Sequence, residues 1–366
     1  MTTDHRWTIT VRDALDGALH HTFRHLPAGL PDPGDLFGWD DLARILTDHQ
    51  LEAPRLQLAR HGALVPPATY TRPVTLRPGV VHHQLRPHLL NSELDNGATL
   101  ALDAVDHCHH RLRRVAHHLE AAFATGVLVT AYASRTPAPG FNRHTDQTDV
   151  LVLQLDGSKH WEIHPPTGGA EPTTNATEIV LTPGDVLYLP RGWWHAVTAH
   201  AGPSLHLTCA LTPHTVLDLL QWLATQPVGA PLRADLPAPR QALPDLVPLL
   251  KDPEVVARYR AAQDKALHAR PAIDLPTPDE RYDKFTQVAL VPSRSRLVRH
   301  DDGETALHAD GDTWPTVPPK RLPVLTALLG QRDTTIGDLA AATGLSVAQV
   351  AADVRHLVRH GLAATR

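Results

Sequence analysis

Three candidate metal donors constrain this chain to a fold that closes β-strands around one point: His144 and Asp146 in His144-Thr-Asp146, and His195 at the end of Pro183-Gly-Asp-Val-Leu-Tyr-Leu-Pro-Arg-Gly-Trp-Trp-His195. Residues i and i+2 of an extended strand project to the same side, so His144 and Asp146 can reach one ion while Thr145 points away. The third donor must arrive from another strand. Asp185-Val-Leu-Tyr-Leu189 reads as a short strand, Pro190 and Gly192 as the turn that ends it, and His195 as the start of the return strand. In a chain with 26 histidines a His-x-Asp triplet arises by chance, and it is the downstream Pro-Gly-Asp to His segment that makes a metal site the stronger reading. Two imidazoles and one carboxylate on one face leave three adjacent octahedral positions open, which suits non-haem Fe(II) working on O2.

Lys159 adds to this. Val150-Leu-Val-Leu-Gln-Leu155, the pair Asp156-Gly157, and Ser158-Lys-His-Trp-Glu-Ile163 predict a β-hairpin closed by a two-residue turn. In that register Lys159 faces Gln154 across the turn, and an unbulged strand from 144 onward then aims Lys159 toward the metal. An ammonium buried there needs an anionic partner, and the carboxylate of a small organic cosubstrate is the natural one.

These residues resemble the JmjC branch of the Fe(II)/2-oxoglutarate oxygenases within the cupin superfamily, and most of all the bacterial ribosomal-oxygenase (cupin-4) group. The resemblance runs through Thr130-Ala-Tyr-Ala133, His144-x-Asp146, Gln154-Leu-Asp-Gly-Ser-Lys-His-Trp161 and the Pro183 to His195 segment. It implies an α+β fold with a double-stranded β-helix core. It implies His144, Asp146 and His195 as iron ligands, Lys159 on the distal carboxylate of 2-oxoglutarate, and Tyr132 hydrogen-bonding the same cosubstrate. Thr130 stands where the group usually has asparagine, and Ser204, in Ser204-Leu-His-Leu-Thr208, resembles a pocket-facing serine on the late barrel strand. The implied activity consumes Fe(II), 2-oxoglutarate and O2 to hydroxylate an amino-acid side chain of a protein or peptide, with a ribosomal protein favoured as substrate. Three alternatives stay open: a hydroxylase of a peptide natural-product precursor, a cupin and winged-helix transcription regulator without turnover, and a metal-dependent cupin isomerase, which leaves Lys159 unexplained.

A formal net charge of −5 with 20% charged residues argues for neither nucleic acid nor a membrane surface as the partner. The first residues lead into no apolar signal segment, and no stretch approaches 18 apolar residues, so neither export nor a membrane span is expected. Cys108 and Cys209 are too few for a disulfide framework, and a reducing cytoplasm fits both them and Fe(II).

The chain divides by pattern into a catalytic domain with an α/β lead-in over residues 1–211, a helical region over 212–290, and a winged-helix domain over 291–366. In the lead-in, a helix is expected over 36–52, strands near 56–60 and 98–102, and a helix over 103–123. The barrel opens with a strand over 126–132. Thr212 as N-cap and Pro213 at the first helical position start the second region, Asp252-Pro253 opens another helix, and the proline-rich run 227–248 connects them irregularly. The family uses this region for dimerisation, which makes a homodimer one expectation. Helices near 319–330, 336–343 and 347–360, the last with a Ser346/Gln349 capping box, suggest the winged helix, with the hairpin-like run 295–309 supplying flanking strands. From 318 to 366 there are six Lys/Arg against three Asp/Glu. Arg355, Arg359 and Arg366 therefore make a weak basic surface, and a structural or substrate-docking role is preferred to DNA binding.

Overall fold

Residues 149–156, Asp-Val-Leu-Val-Leu-Gln-Leu-Asp, are apolar almost without a break, which suits a strand covered on both faces. The computed structural model describes residues 3–365 apart from 174–175, 213, 234, 236–245, 267–281, 292–294, 300–302, 310–311, 315–316 and 332. In it the strand Asp149–Asp156 lies inside an eight-stranded sheet ordered Arg24–Leu26, Val186–Leu189, Asp149–Asp156, Ser204–Thr212, Gly126–Ser134, Thr99–Leu102, Leu56–Arg60, Ala63–Leu64. Leu151, Leu153 and Leu155 share a core with Trp7 and Val11 of helix Thr3–Ala14, with Leu15 just after it, and with Leu112, Val115 and Leu119 of helix His110–Phe123. Val150 and Val152 belong to a second core, with Trp161, Ile163 and Leu181 of a four-stranded sheet. That sheet is ordered Thr177–Leu181, Lys159–His164, Trp194–Ala199, His144–Thr145. Each fully buried leucine in these layers contributes about 1.5–3 kcal/mol.

The same two-residue alternation sorts the neighbouring strands. On Ser204–Thr212, Leu205, Leu207 and Cys209 join the helix-side core, which leaves Ser204, His206 and Thr208 on the inner face. On Gly126–Ser134, Val127, Val129, Ala131 and Ala133 do so, leaving Thr130, Tyr132 and Ser134 inside.

The expected hairpin across Asp156-Gly157 does not form. Asp149–Asp156 pairs with Val186–Leu189 and Ser204–Thr212 in the larger sheet, whereas Lys159–His164 pairs with Thr177–Leu181 and Trp194–Ala199 in the smaller one. Asp156-Gly157 is therefore a crossing between sheets, and Gln154 does not face Lys159. Gly157 has φ +61°, and a Cβ there would lie 2.0 Å from the Pro203 carbonyl oxygen. Gly157→Ala is accordingly expected to cost about 2–4 kcal/mol, read as a lower denaturant midpoint; an unchanged midpoint would contradict this account of the crossing.

The lead-in differs from expectation mainly at its ends: helix Trp39–Asp48 is shorter than 36–52, and residues 105–107 form a short 3-10 turn before helix His110–Phe123. The chain separates into two compact units, Met1–Pro213 and His214–Arg366. In the second, the first helix is Val216–Thr225, capped by Thr215 with Asp218 in a capping box, so the start lies beyond the expected Thr212 and Pro213 falls outside the described residues. The aspartate reaching back to the Thr215 amide is what makes the later start the better cap. Helix Pro253–Ala266 follows as expected, and much of 227–248 lies outside the described residues.

Helices Leu322–Gln331, Ile336–Thr343 and Val347–Arg359 bury Val350, Val354, Leu357 and Val358 against Leu328, Ile336 and Leu339. The Ser346/Gln349 capping box is present. Their flanking strands are Gln287–Leu290, Asp333–Thr335 and Ala363–Thr365, not the 295–309 run, which pairs within itself and with Asp312–Trp314. Arg355 lies over the Tyr282 ring at 4.9 Å, and Arg366 is outside the described residues.

Candidate metal and cosubstrate site

His195 pairs directly with His144, and Ile163 with His195, across the four-stranded sheet. Cross-strand partners share a face, so His144, His195 and Ile163 look inward together, followed along the strand by Trp161 and Lys159. This smaller sheet, not continuity with Asp149–Asp156, is what aims Lys159 inside. Asp146 follows directly after the two-residue strand His144–Thr145, and its carbonyl accepts from the Gly192 amide at 3.0 Å. The turn before His195 is thereby tied to the segment carrying Asp146.

One donor atom from each of His144, Asp146 and His195 lies within 4.8 Å of the others, a group that could hold a metal ion. His144 Nε2 is 3.8 Å from Asp146 Oδ1, and His195 Nε2 is 3.6 Å from Asp146 Oδ2. Each histidine places its other ring nitrogen on a backbone carbonyl, His144 Nδ1 on Asn142 at 2.8 Å and His195 Nδ1 on Trp193 at 3.2 Å. With Nδ1 donating, the Nε2 lone pairs are free for a cation, the orientation metal-binding histidines use. Burial, and then neighbouring His144, push the His195 imidazole below its ordinary value, so it is neutral as a ligand must be. Donors bound cis at ~2.1 Å stand ~3 Å apart, so two nitrogens and one oxygen here fit a divalent ion after a shift of under ~1 Å. His144 and Asp146 are 46% and 34% exposed and His195 only 5%, so the group opens to solvent on one side.

Behind it lies a cavity of about 190 Å³ whose lining includes Thr99, Tyr132, Ser134, Lys159, Trp161 and His206. Lys159 is 2% exposed, and burial pushes its ammonium down to about 7. Among the described residues it has no carboxylate within ion-pair distance; its Nζ reaches only the Ser134 hydroxyl, at 3.5 Å. Tyr132 is held protonated by burial first and then by the Asp146 and Asp103 carboxylates, which push its phenol up. It is a donor here, not an anion.

The remaining candidates lie apart from the cavity lining. Thr130 donates to Asp103 Oδ1 at 2.8 Å, and the Ser204 hydroxyl accepts from Gln154 Nε2 at 3.4 Å. Asp185 of the Pro-Gly-Asp segment is structural. Burial would raise its carboxyl, but hydrogen bonds from the Thr182 and Ala28 amides outweigh that and hold it low. Sequence reasoning passed over His206, although alternation from Ser204 would have found it. Thr99 and Ser134, joined by a hydroxyl hydrogen bond of 2.9 Å, required the folded sheet.

Residues 107–219 match the model of the JmjC domain. The bifunctional lysine-specific demethylase and histidyl-hydroxylase NO66 of Drosophila persimilis is 36% identical over 110 residues, 27% of this chain and 16% of that protein. Ribosomal oxygenase 2 of Bos taurus is 29% identical over 184 residues, 45% of this chain and 40% of that protein. This chain thus spans less than half the length of these relatives. The E. coli ribosomal oxygenase YcfD, in a structure with cobalt and 2-oxoglutarate, covers 97% of this chain and 98% of its own, with a TM-score of 0.61 at 18% identity. At that identity the likeness is one of fold. The two imidazoles and the carboxylate, with most of the residues lining the cavity behind them, fall within the segment of residues 107–219 that is similar to the JmjC domain.

Proposed function

We propose that this protein is an Fe(II)- and 2-oxoglutarate-dependent oxygenase that hydroxylates an amino-acid side chain of a protein or peptide, with a ribosomal protein as the favoured substrate. One observation carries the reading: a buried lysine with no carboxylate in ion-pair distance among the described residues shares a cavity with two imidazoles and one carboxylate able to hold a cation. His144, Asp146 and His195 would hold the iron, which when bound supplies oxygen activation and an open face for the cosubstrate. Lys159 would take the distal carboxylate of 2-oxoglutarate, and Tyr132 would donate its phenol to the same molecule. Thr130 and Ser204 would support the strands around them without touching the cosubstrate. The buried lining at Lys159 and His206, 2% and 3% exposed, would keep water from the inner part of the cavity.

The names of NO66 and of the ribosomal oxygenases favour a protein substrate over a small molecule. In the second unit we assign a winged helix built on Leu322–Gln331, Ile336–Thr343 and Val347–Arg359 as a structural or substrate-docking module, with the helical region before it as a homodimer surface. Among the described residues no helix is long and apolar enough to cross a membrane, and a cytoplasmic setting suits Fe(II) and free thiols at Cys108 and Cys209.

The purified protein should consume 2-oxoglutarate with Fe(II) and O2 and add a one-oxygen mass increment to ribosomal proteins from a deletion strain. His144→Ala and Asp146→Ala should each lower turnover by about 10²-fold or more. Variants that turn over 2-oxoglutarate like the parent would overturn the assignment.

A further inference from the structure

His206 lines the cavity at 3% exposure, yet its Nδ1 has no hydrogen-bond partner among the described residues. Its ring stacks on Tyr132, with centroids 4.9 Å apart and planes 11° apart, and meets Trp161 edge-on at 5.8 Å. Trp161 Nε1 is likewise buried without a partner. Leaving such a group buried and unpaired is costly, so native proteins rarely retain one without a use. Here two sit on the walls of one cavity, beside an ammonium whose only hydrogen bond among the described residues is to a serine hydroxyl.

Charge decides what could satisfy them. Burial, then Lys159 and His195, hold the His206 imidazole well below its ordinary value, so it is neutral and cannot act as a counter-ion. A neutral imidazole carries one N–H; with that proton on the unpaired Nδ1, His206, Lys159 and Trp161 present three donors to a cavity with room for a small dicarboxylate. Position points the same way. His206 pairs across the sheet with Tyr132, and Ser134, one inward-facing step further along that strand, is the residue that Lys159 reaches. His206 therefore stands between the ammonium and the His144, Asp146, His195 group.

Resting on the oxygenase reading above, we propose that His206 is a cosubstrate-binding residue whose Nδ1–H donates to a carboxylate oxygen of 2-oxoglutarate spanning the metal group and Lys159.

The test measures 2-oxoglutarate affinity calorimetrically in the full-length protein loaded with Mn(II), without turnover. His206→Phe keeps the ring on Tyr132 and removes the donor; His206→Asn restores a donor near Nδ1 and removes the ring. We expect His206→Phe to weaken 2-oxoglutarate binding by about ten- to hundredfold with Mn(II) affinity held within about threefold, and His206→Asn to recover most of the loss. His206→Phe binding 2-oxoglutarate like the parent, or both variants weakened alike, would overturn the hydrogen bond while leaving the oxygenase reading intact. A parent that binds Mn(II) but no 2-oxoglutarate would overturn both.

Discussion

Lys159→Met is expected to melt at a higher temperature than the parent and to lose 2-oxoglutarate binding in the same variant. The lysine is 2% exposed and has no carboxylate within ion-pair distance among the described residues, so the folded protein carries a desolvated ammonium that a thioether of similar length would remove. A gain of about 2 kcal/mol or more is the expected scale. The pH dependence has a definite sign. Burial lowers the group from 10.5 to about 7, so between those values the unfolded chain binds the proton that the folded chain has released. Parent stability therefore rises with pH across that window. Lys159→Met lacks this rise, so the gap between the two proteins is widest below pH 7 and closes above pH 10.5. Binding of a dicarboxylate favours the charged lysine, so 2-oxoglutarate affinity of the parent should fall as pH rises above about 7. Thermal melts and calorimetry at pH 6 and pH 9 check both halves. A variant that binds 2-oxoglutarate normally, or melts below the parent at pH 6, contradicts the assignment of Lys159.

Asp149→Ala is expected to loosen the metal site without touching a metal donor. The Asp149 carboxylate is 1% exposed and accepts from Tyr188 Oη at 2.6 Å and the Arg191 amide at 3.0 Å, with His20 Nδ1 at 2.6 Å. The Tyr188 hydroxyl in turn accepts from the His20 amide at 2.8 Å. This network pins the turn at residues 190–192, from which Gly192 binds the Asp146 carbonyl and after which His195 begins its strand. Removing the carboxylate leaves a buried hydroxyl and an amide unpaired, at about 2–4 kcal/mol of stability. The two donors it helps position should then bind Fe(II) or Mn(II) about 10- to 100-fold more weakly, the scale seen when partners behind a metal ligand are lost. Asp149→Asn, which keeps one acceptor, should fall between. Metal titration together with denaturant unfolding separates the outcomes: lost stability with unchanged metal affinity would make Asp149 structural only.

The metal group was legible because its signal is local chemistry with strand spacing. His144-Thr-Asp146 and the turn before His195 carry their own geometry, and the capping box at Ser346 and the buried stripe of the last helix are likewise local patterns. Lys159 was placed inside for a mistaken reason. Asp156-Gly157 has the chemistry of a hairpin turn, and only the crowding of Gly157 against Pro203 and the pairing of each flank in a different sheet reveal a crossing. The helix start at Thr215 turned on which threonine had an aspartate three residues ahead.

Residue identity and periodicity, then, determined which side chains could bind a cation, which strands alternate and where helices are capped, because those depend on neighbours within a few positions. Tertiary structure alone decided that Lys159 looks inward, that Thr130 is claimed by Asp103, and that His206 Nδ1 and Trp161 Nε1 have no hydrogen-bond partner among the described residues on facing walls of one cavity. Each of those facts depends on segments far apart in the chain meeting, within one sheet for Thr130 and Asp103 and across two sheets for the others. The spacing of residues along a single strand holds no record of which sheet it will join.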